Sequence, residues 1–320
     1  MAMKAIVQER YGSPDLLRLT DVDTPALEDD RVLVRVRAAS VNAGDWRRVR
    51  GSPFIVRMAE GLRRPRLGAL GVDAAGQVEA IGKDVTHLQP GDEVFGVRTG
   101  AFAEYVSGRT FMPKPANLTF QQAAAVPVAG CTALQALRDK GGVQPGQRVL
   151  VNGAGGGVGT FVVQIARALG AEVSAVTSTA HLDLVRSIGA DHVIDYSRED
   201  FTRTGQRHDL IIDVGGNRSI SDCRRALTPD GTIVLVGAGK GYLGPVARLI
   251  GGLVRSRLLK QRIIAFIASV TREDLLTLKG LIEAGQVTPV IDRTYPLSET
   301  SEAVRYLETG QARGKVVITI

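Results

Sequence analysis

The sequence predicts an α/β protein that combines a β-rich part with a doubly wound parallel sheet. Strands and helices alternate from about residue 123 onwards, and the first of these strands leads into a glycine-rich turn that opens a helix. Alternation of this kind is typical of a parallel sheet with helices on both faces. The first third instead holds short strand candidates separated by turn signals, which favours a barrel-like β domain.

Alternating hydrophobic residues locate the strands of the first third. Valines at positions 32, 34 and 36 share one face of a half-buried strand. The further strand candidates are Lys4–Gln8, Leu16–Thr20, Gln77–Ile81, Glu93–Val97 and Phe102–Val106. Residues 47–70 show little periodicity, and we expect them to be irregular.

The elements after residue 123 follow a strand–helix order. Val158, Ile165 and Leu169 lie on one face of the first helix, and Gly170 is its stop signal. The strand candidates are Arg148–Asn152, Val173–Thr177, His192–Asp195, Leu210–Val214, Thr232–Val236 and Ile263–Ile267. A second helix is predicted over 182–188. The last fifty residues return to mixed character, with helices predicted at Glu273–Ala284 and Ser298–Leu307 and a strand at Lys315–Ile320.

Composition excludes several classes of protein. The chain has 320 residues and only two cysteines, so we expect no disulfide framework and a reducing, cytoplasmic location. The four histidines show no zinc-ligand spacing. The amino terminus does not look like a signal peptide, and no stretch is long and apolar enough to span a bilayer, so we expect no membrane partner.

The net charge of +7 is concentrated in two segments, residues 47–66 and 248–262. Solvated basic faces are one explanation. The other is attraction of an anionic cofactor or substrate towards a cleft. We expect no nucleic-acid partner, because no aromatic platform accompanies these arginines.

A strand, a glycine turn and a helix start follow one another over residues 149–159, which is the context that a dinucleotide fingerprint requires. Ala154, Gly156 and Gly159 occupy the three small-residue positions of that fingerprint. The remaining turn residues are Gly153, Gly155, Gly157 and Val158. Small residues let backbone N–H groups approach a pyrophosphate at a helix N-terminus. A Rossmann-type site for a nicotinamide dinucleotide is therefore predicted, the alternative being a tight turn without a ligand.

The end of the second strand bears on the choice of cofactor. An NAD-specific site usually carries an acid there, which binds the ribose 2′-hydroxyl. Here the region contains Ser178 and Thr179, with no acid before Asp183. Hydroxyl groups could hold a 2′-phosphate, so NADPH is favoured, and a relaxed site that also accepts NADH is the alternative.

With these motifs in hand, the chain resembles the medium-chain dehydrogenase/reductase superfamily, and most of all its zinc-free quinone oxidoreductase (zeta-crystallin-like) branch. The matching pieces are residues 38–45 (AASVNAGD), 71–78 (GVDAAGQV), 90–97 (PGDEVFGV), 126–134 (VPVAGCTAL), 152–159, 189–196 (GADHVIDY) and 314–318 (GKVVI). The resemblance implies a GroES-like catalytic domain, split into 1–123 and 268–320, around a Rossmann domain at 124–267.

The positions of the family's zinc ligands hold other residues. Zinc-dependent members carry a Cys-x-x-Asp motif, whereas this chain has Asn42 in the cysteine position and Asp45 in the last. Val72 replaces the histidine of a Gly-His-Glu motif, and Val128 stands near the third ligand position. The four-cysteine structural lobe is also missing. We therefore expect no bound metal.

The resemblance also implies roles for individual residues. Asn42 and Asp45 resemble polar residues of the catalytic pocket, although Asn42 could be a turn-stabilising amide and Asp45 a helix cap or an ion-pair partner of Arg48. Thr132 resembles a residue near the nicotinamide. Ser178 and Tyr196 correspond to contacts of the adenosine phosphate, with a packing tyrosine as the alternative. Gly237 and Ala238 follow the fifth strand, where the backbone of family members runs past the nicotinamide. Ala180 stands where many relatives have a basic residue.

The predicted function is an NADPH-dependent reductase of quinones or activated carbon–carbon double bonds. The alternatives are an alcohol dehydrogenase-like enzyme and a non-catalytic dinucleotide-binding protein. The missing zinc ligands and the lack of a Tyr-x-x-x-Lys pair argue against the dehydrogenase. A homodimer is expected, because the apolar strand Ile263–Ile267 is placed at a sheet edge by this topology.

Overall fold

The computed structural model describes residues 2–66, 68–236 and 260–320, which form two compact units. Unit 1 comprises Met1–Cys131, Val270–Ala284 and Pro289–Ile320. Unit 2 comprises Thr132–Ser269 and Gly285–Thr288. No helix among the described residues is long and apolar enough to cross a membrane.

The strands and helices of the described residues are numbered in chain order. The strands are β1 (Ala2–Val7), β2 (Arg18–Asp23), β3 (Val32–Val41), β4 (Asp73–Ile81), β5 (Glu93–Val97), β6 (Tyr105–Gly108), β7 (Thr110–Pro113), β8 (Arg148–Asn152), β9 (Glu172–Thr177), β10 (His192–Asp195), β11 (His208–Asp213), β12 (Leu227–Leu235), β13 (Arg262–Ala265), β14 (Ile291–Pro296) and β15 (Lys315–Thr319). The helices are α1 (Ala43–Arg50), α2 (Phe54–Glu60), α3 (Phe120–Ala124), α4 (Pro127–Gln135), α5 (Gly157–Ala168), α6 (Leu182–Ser187), α7 (Ile220–Arg225), α8 (Arg272–Glu283) and α9 (Thr300–Glu308).

Unit 1 is built on a largely antiparallel sheet of order β14-β15-β3-β4-β5-β7, with β6 also paired to β3 and a separate β1–β2 hairpin. The predicted alternation along β3 is confirmed, because Val32, Val34 and Val36 are all buried in the core of this unit. The carboxyl-terminal strand β15 lies directly beside β3, with Val316 opposite Val41. This pairing brings Lys315, the first residue of β15, next to Asn42 at the start of α1.

Unit 2 contains the predicted doubly wound sheet. Its strand order is β10-β9-β8-β11-β12-β13, and all of these pairings are parallel. The order reverses between β8 and β11, so the carboxyl ends of these two strands frame a switch point where such folds bind ligands. The central strand β8 is buried from Val149 to Asn152, as a strand covered on both faces must be.

Two parts of the element prediction are wrong. Residues 47–70 are not irregular throughout, since they contain the second half of α1 and all of α2. Both helices are short, and arginines occupy the last turn of α1, so too few apolar positions recur to give a helical period. The sequence also failed to indicate β7, β14, α3, α4 and α7. The strands β7 and β14 are held by pairing with β5 and β15, whereas α3 and α7 begin at local caps, Thr119 and Ser219, that the sequence interpretation did not use.

Candidate active site

The turn between β8 and α5 is packed so tightly that two of its glycines are required by the fold. Gly153 has a φ of +90°, and a Cβ there would lie 2.9 Å from the backbone nitrogen of Gly215. A Cβ on Gly159 would lie 2.1 Å from the carbonyl oxygen of Gly153. The amides of Gly153 and Ala154 both donate to the Val176 carbonyl oxygen at 3.0 Å, which ties the turn to β9.

Gly156 differs from its neighbours because its missing side chain faces open space. A Cβ there would meet only the Gly153 carbonyl oxygen, at 3.7 Å, and its φ of −89° suits any residue. Gly156 is the N-cap of α5, and no side chain caps this helix. The amides of Gly157, Val158 and Gly159 therefore stand at an open helix N-terminus, where the helix dipole favours an anion. A pyrophosphate fits this cradle.

The loop after β11 supports the turn from the other side. The Asn152 amide donates to Asp213 Oδ1 and to Asn217 Oδ1, both at 2.8 Å. The Asn152 carbonyl oxygen accepts from the amides of Val214 and Gly215 at 3.0 and 2.9 Å. The local sequence did not single out Asp213 and Asn217, although Asp213 ends a buried parallel strand beside β8, which is a signal for a polar group at the switch point.

The predicted adenosine-phosphate residues lie at the ends of β9 and β10. Ser178 and Thr179 directly follow β9, and Tyr196 follows β10 with its ring 45% exposed. The Tyr196 amide donates to the Thr177 carbonyl oxygen at 3.0 Å, which joins the two strand ends. Of the predicted contacts, the structure therefore brings Ser178, Thr179 and Tyr196 to one edge of the sheet.

An acid that the local sequence did not indicate also lies at this edge. Asp195, at the end of β10, accepts a hydrogen bond from the Thr179 hydroxyl at 2.5 Å. Ser197 donates to the same carboxylate through its hydroxyl at 2.7 Å and its amide at 3.0 Å. The hydroxyls of Thr179 and Ser197 hold the pKa of Asp195 below its usual value, so the group stays ionised. The stretch after β9 has no acid before Asp183, as the sequence shows, but the neighbouring strand β10 places the Asp195 carboxylate beside it.

In unit 1 the predicted catalytic residue Asn42 is held between two buried charges. Its Oδ1 accepts a hydrogen bond from Lys315 Nζ at 2.6 Å, and its Nδ2 donates to Asp73 Oδ2 at 2.9 Å. Asp73 also accepts from the Ser40 hydroxyl at 2.8 Å and from the Val128 amide at 3.0 Å. The side chains of Lys315 and Asp73 are 3% and 0% exposed, whereas Asn42 is partly exposed. Asn42 is thus the accessible end of a buried polar network, which we call the Asn42 network.

Asp45, the other predicted catalytic residue, is buried one turn into α1. Its carboxylate accepts from the Asn42 backbone amide at 2.7 Å, so it caps the start of the helix. Arg48 is paired with Glu60 at 2.8 Å rather than with Asp45. Burial, reinforced by the negative charge of Asp73, raises the pKa of Asp45 to about 7. Of the two alternatives raised from the sequence, the capping contact is the one that the structure contains.

Comparison with known proteins assigns the family. Residues 28–116 match the family model of the alcohol dehydrogenase GroES-like domain, and residues 188–318 match that of the zinc-binding dehydrogenases. A 2-methylene-furan-3-one reductase of Solanum lycopersicum is 34% identical over 99% of this chain and 79% of its own length. The chain belongs to the medium-chain dehydrogenase/reductase superfamily. Within that superfamily it falls in the zinc-free quinone oxidoreductase branch, and it is an oxidoreductase that uses a nicotinamide cofactor.

Two further members of the superfamily support the assignment. The NADPH-dependent alkenal/one oxidoreductase of Arabidopsis thaliana chloroplasts is 33% identical over 99% of this chain and 79% of that protein. The solved structure of the quinone oxidoreductase from Coxiella burnetii covers 100% of both chains with a TM-score of 0.88 and 32% identity. The predicted combination of a GroES-like domain with a Rossmann sheet is therefore confirmed.

The remaining predicted site residues of this superfamily member stand as follows. Val128 is locked in the fold through its amide contact with Asp73, and its side chain offers no metal donor. Across residues 2–66, 68–236 and 260–320, no cluster of three or more His, Cys, Asp or Glu residues is placed to hold a metal. Thr132 lies within α4 and is partly exposed. Gly237 and Ala238 lie outside the described residues.

Proposed function

We propose that this protein is a zinc-independent, NADPH-dependent reductase that transfers hydride to quinones or to α,β-unsaturated carbonyl compounds. The observation that carries the proposal is the Asn42 amide, which takes the place of a metal ligand in zinc-dependent relatives and is fixed by Lys315 and Asp73. An amide N–H donates hydrogen bonds to oxygen, whereas the zinc ligands of proteins are Cys, His and carboxylate groups. The enone and quinone reductases among the relatives support the same substrate classes.

The donor set suits a conjugated substrate better than a simple ketone. Reduction of an unactivated ketone needs strong polarisation of its oxygen by a metal or a proton donor. When bound, the nicotinamide supplies the hydride. Asn42 then needs only to donate a hydrogen bond to the oxygen of an enolate, over which the charge is already spread. Water can provide the final proton, so the chain needs no dedicated acid.

We propose that the cofactor is NADPH and that its pyrophosphate binds the open N-terminus of α5 at Gly156. Ser178 and Tyr196 are the proposed contacts of the 2′-phosphate. The hydroxyl hydrogen of Thr179 is already donated to Asp195, so Thr179 is a weaker candidate than its sequence position suggested. Arg198, whose Nε lies 3.6 Å from Asp195 Oδ2, partly offsets the charge of that carboxylate.

A steady-state comparison of substrates tests the proposed activity. The purified protein should oxidise NADPH with enones or ortho-quinones and should not oxidise simple alcohols in metal-free buffer. Elemental analysis should find no stoichiometric zinc. Robust alcohol oxidation with inert enones would identify an alcohol dehydrogenase, and tight NADPH binding without any turnover would identify a non-catalytic binding protein.

Asn42→Ala tests the proposed donor directly. We expect turnover to fall by roughly a hundredfold, the usual effect of removing one donor to a developing oxyanion. The affinity for NADPH should be nearly unchanged, because Asn42 lies in unit 1 and the pyrophosphate cradle in unit 2. Unchanged turnover would show that the Asn42 amide serves the fold alone.

We also propose that the protein is a cytoplasmic homodimer. The sequence holds only two cysteines, Cys131 and Cys223, which is too few for a disulfide framework and favours a reducing compartment. Among the described strands, β13 (Arg262–Ala265) stands at the end of the parallel sheet, and the predicted strand Ile263–Ile267 overlaps it. An uncovered strand edge invites pairing with a second copy of the chain.

A further inference from the structure

Lys315 is a buried lysine whose ammonium group contacts Asn42 and Asp73 of the Asn42 network and the backbone of Val41. Its side chain is 3% exposed, and its ammonium group lies 2.6 Å from Asn42 Oδ1 and 3.4 Å from both Asp73 Oδ2 and the Val41 carbonyl oxygen. A buried ammonium group is costly unless its hydrogen atoms have acceptors. The shortest of these contacts is to the neutral amide rather than to the carboxylate, so the positive charge is directed at Asn42.

This contact fixes the orientation of the Asn42 amide. With Oδ1 towards Lys315, the Nδ2 group faces Asp73 Oδ2 at 2.9 Å. The reverse orientation would place an NH2 group against an ammonium group and an oxygen against a carboxylate. Both contacts would then be repulsive, so the charges select one orientation of the amide.

The same contact strengthens Asn42 as a donor. A cation bonded to an amide oxygen draws electron density away from the nitrogen, which makes its hydrogen atoms more acidic. Nδ2 carries two hydrogen atoms, and Asp73 takes one of them. Nδ2 also makes a long contact of 3.5 Å with the Ser40 carbonyl oxygen, which is weak at this distance. Because Asn42 is partly exposed, a substrate oxygen can replace this weak contact.

We infer that Lys315 is a positioning residue that orients and polarises the Asn42 amide for hydrogen bonding to the substrate oxygen. The inference rests on the proposed function, because it assigns a role in enone and quinone reduction. It differs from a purely structural role, in which Lys315 would only neutralise Asp73. Polarisation of the Asn42 amide should affect turnover most for the substrate whose oxygen requires the strongest hydrogen-bond donor. Turnover with an enone should therefore depend on Lys315 more than turnover with a quinone.

The decisive experiment compares Lys315→Met with a matched control. Lys114→Met removes another buried lysine of unit 1, whose side chain is 6% exposed and bonds to the Leu118 carbonyl oxygen. For Lys315→Met we expect kcat with an enone to fall about tenfold to a hundredfold. KM and the Kd of NADPH should stay within about twofold, and the fall with a quinone should be smaller. Lys315→Arg, which keeps the charge, should recover part of the lost turnover.

Two further measurements keep the test decisive. If the Lys315→Met variant does not fold, the double variant with Lys315→Met and Asp73→Asn is used instead, because it removes both buried charges together. The side-chain amide protons of Asn42, assigned by their loss in Asn42→Ala, should move upfield in the NMR spectrum without Lys315 and should not move in Lys114→Met. This readout needs no turnover, so it decides the orientation even if the wild-type protein reduces neither substrate class and the proposed function fails. An unmoved Asn42 resonance, or an equal loss of kcat in Lys114→Met, would overturn the inference.

Discussion

At the scale of single residues, the buried carboxyl group of Asp45 is a source of pH dependence in unit 1. Burial and the neighbouring charge of Asp73 raise its pKa from 3.8 to about 7, against the opposing charges of Lys315 and Arg48 and the hydrogen bond from the Asn42 amide. Between these two pH values the folded protein holds a proton that the unfolded chain has lost. The free energy of unfolding should therefore fall as the pH rises through this window, and the loss should be complete above it.

Asp45→Asn removes this titration while keeping an oxygen that can accept from the Asn42 amide. Each unit of pKa shift corresponds to about 1.4 kcal/mol of unfolding free energy. Between pH 4 and pH 8, the free energy of unfolding of the variant should therefore rise by a few kcal/mol relative to that of the wild type. Urea denaturation at several pH values measures this difference. The exposed Asp183, whose side chain is fully accessible, provides the control Asp183→Asn. A stability difference for Asp45→Asn that does not vary with pH would contradict the assignment.

Also at the residue scale, Ser178 should control the choice between NADPH and NADH. Ser178→Asp adds a carboxylate directly after β9, at the edge of the sheet where Ser178 and Tyr196 lie, and this charge would repel a 2′-phosphate and accept from a ribose hydroxyl. A charge-assisted contact set contributes about 1–3 kcal/mol, so the ratio of kcat/KM values should shift towards NADH by roughly tenfold or more. Ser187→Asp adds the same charge at the far end of α6, and it should leave the ratio unchanged. If wild-type efficiency with NADH already equals that with NADPH, the proposed preference is wrong.

At the scale of elements, the turn between β8 and α5 contains glycines with two different roles, one in cofactor binding and the other in the fold. A side chain at Gly156 would enter open space, whereas a Cβ at Gly159 would collide with the Gly153 carbonyl oxygen. Gly156→Val should abolish NADPH binding in a fluorescence titration and leave the melting temperature nearly unchanged. Gly159→Ala should lower the melting temperature, because the backbone of the turn has to move. Unchanged NADPH affinity in Gly156→Val would show that the turn binds no pyrophosphate.

At the scale of the whole molecule, the apolar residues at the β13 side of the parallel sheet should set the oligomeric state. Ile267 follows β13 and is 96% exposed, which is unusual for a large apolar side chain. We expect a dimer by light scattering at micromolar concentration and a monomer for Ile267→Lys, since a charge at a strand edge opposes pairing. Leu276→Lys changes another exposed apolar residue, on α8, and should leave the dimer intact. A wild-type monomer would refute the proposed pairing.

The sequence by itself determined the parallel sheet and the glycine turn. Strands β5, β8 and β10 begin and end at the residues predicted, because each is a short run of β-formers bounded by turn signals. The small residues at 153–159 can be identified as a dinucleotide-binding turn because a strand precedes them and an amphipathic helix follows them. Both signals are local, and local patterns are what a single sequence can show.

Only the tertiary structure decided which polar groups meet. Lys315 stands 273 residues after Asn42, and only the pairing of β15 with β3 brings its ammonium group to the Asn42 amide. Asp195 reaches Thr179 because β10 lies beside β9, whereas the sequence after β9 showed hydroxyl groups alone. Sheet neighbours are chosen by burial of whole faces rather than by the residues at the strand ends. The polar groups at the strand ends are therefore brought together by packing, and no local sequence pattern indicates which of them meet.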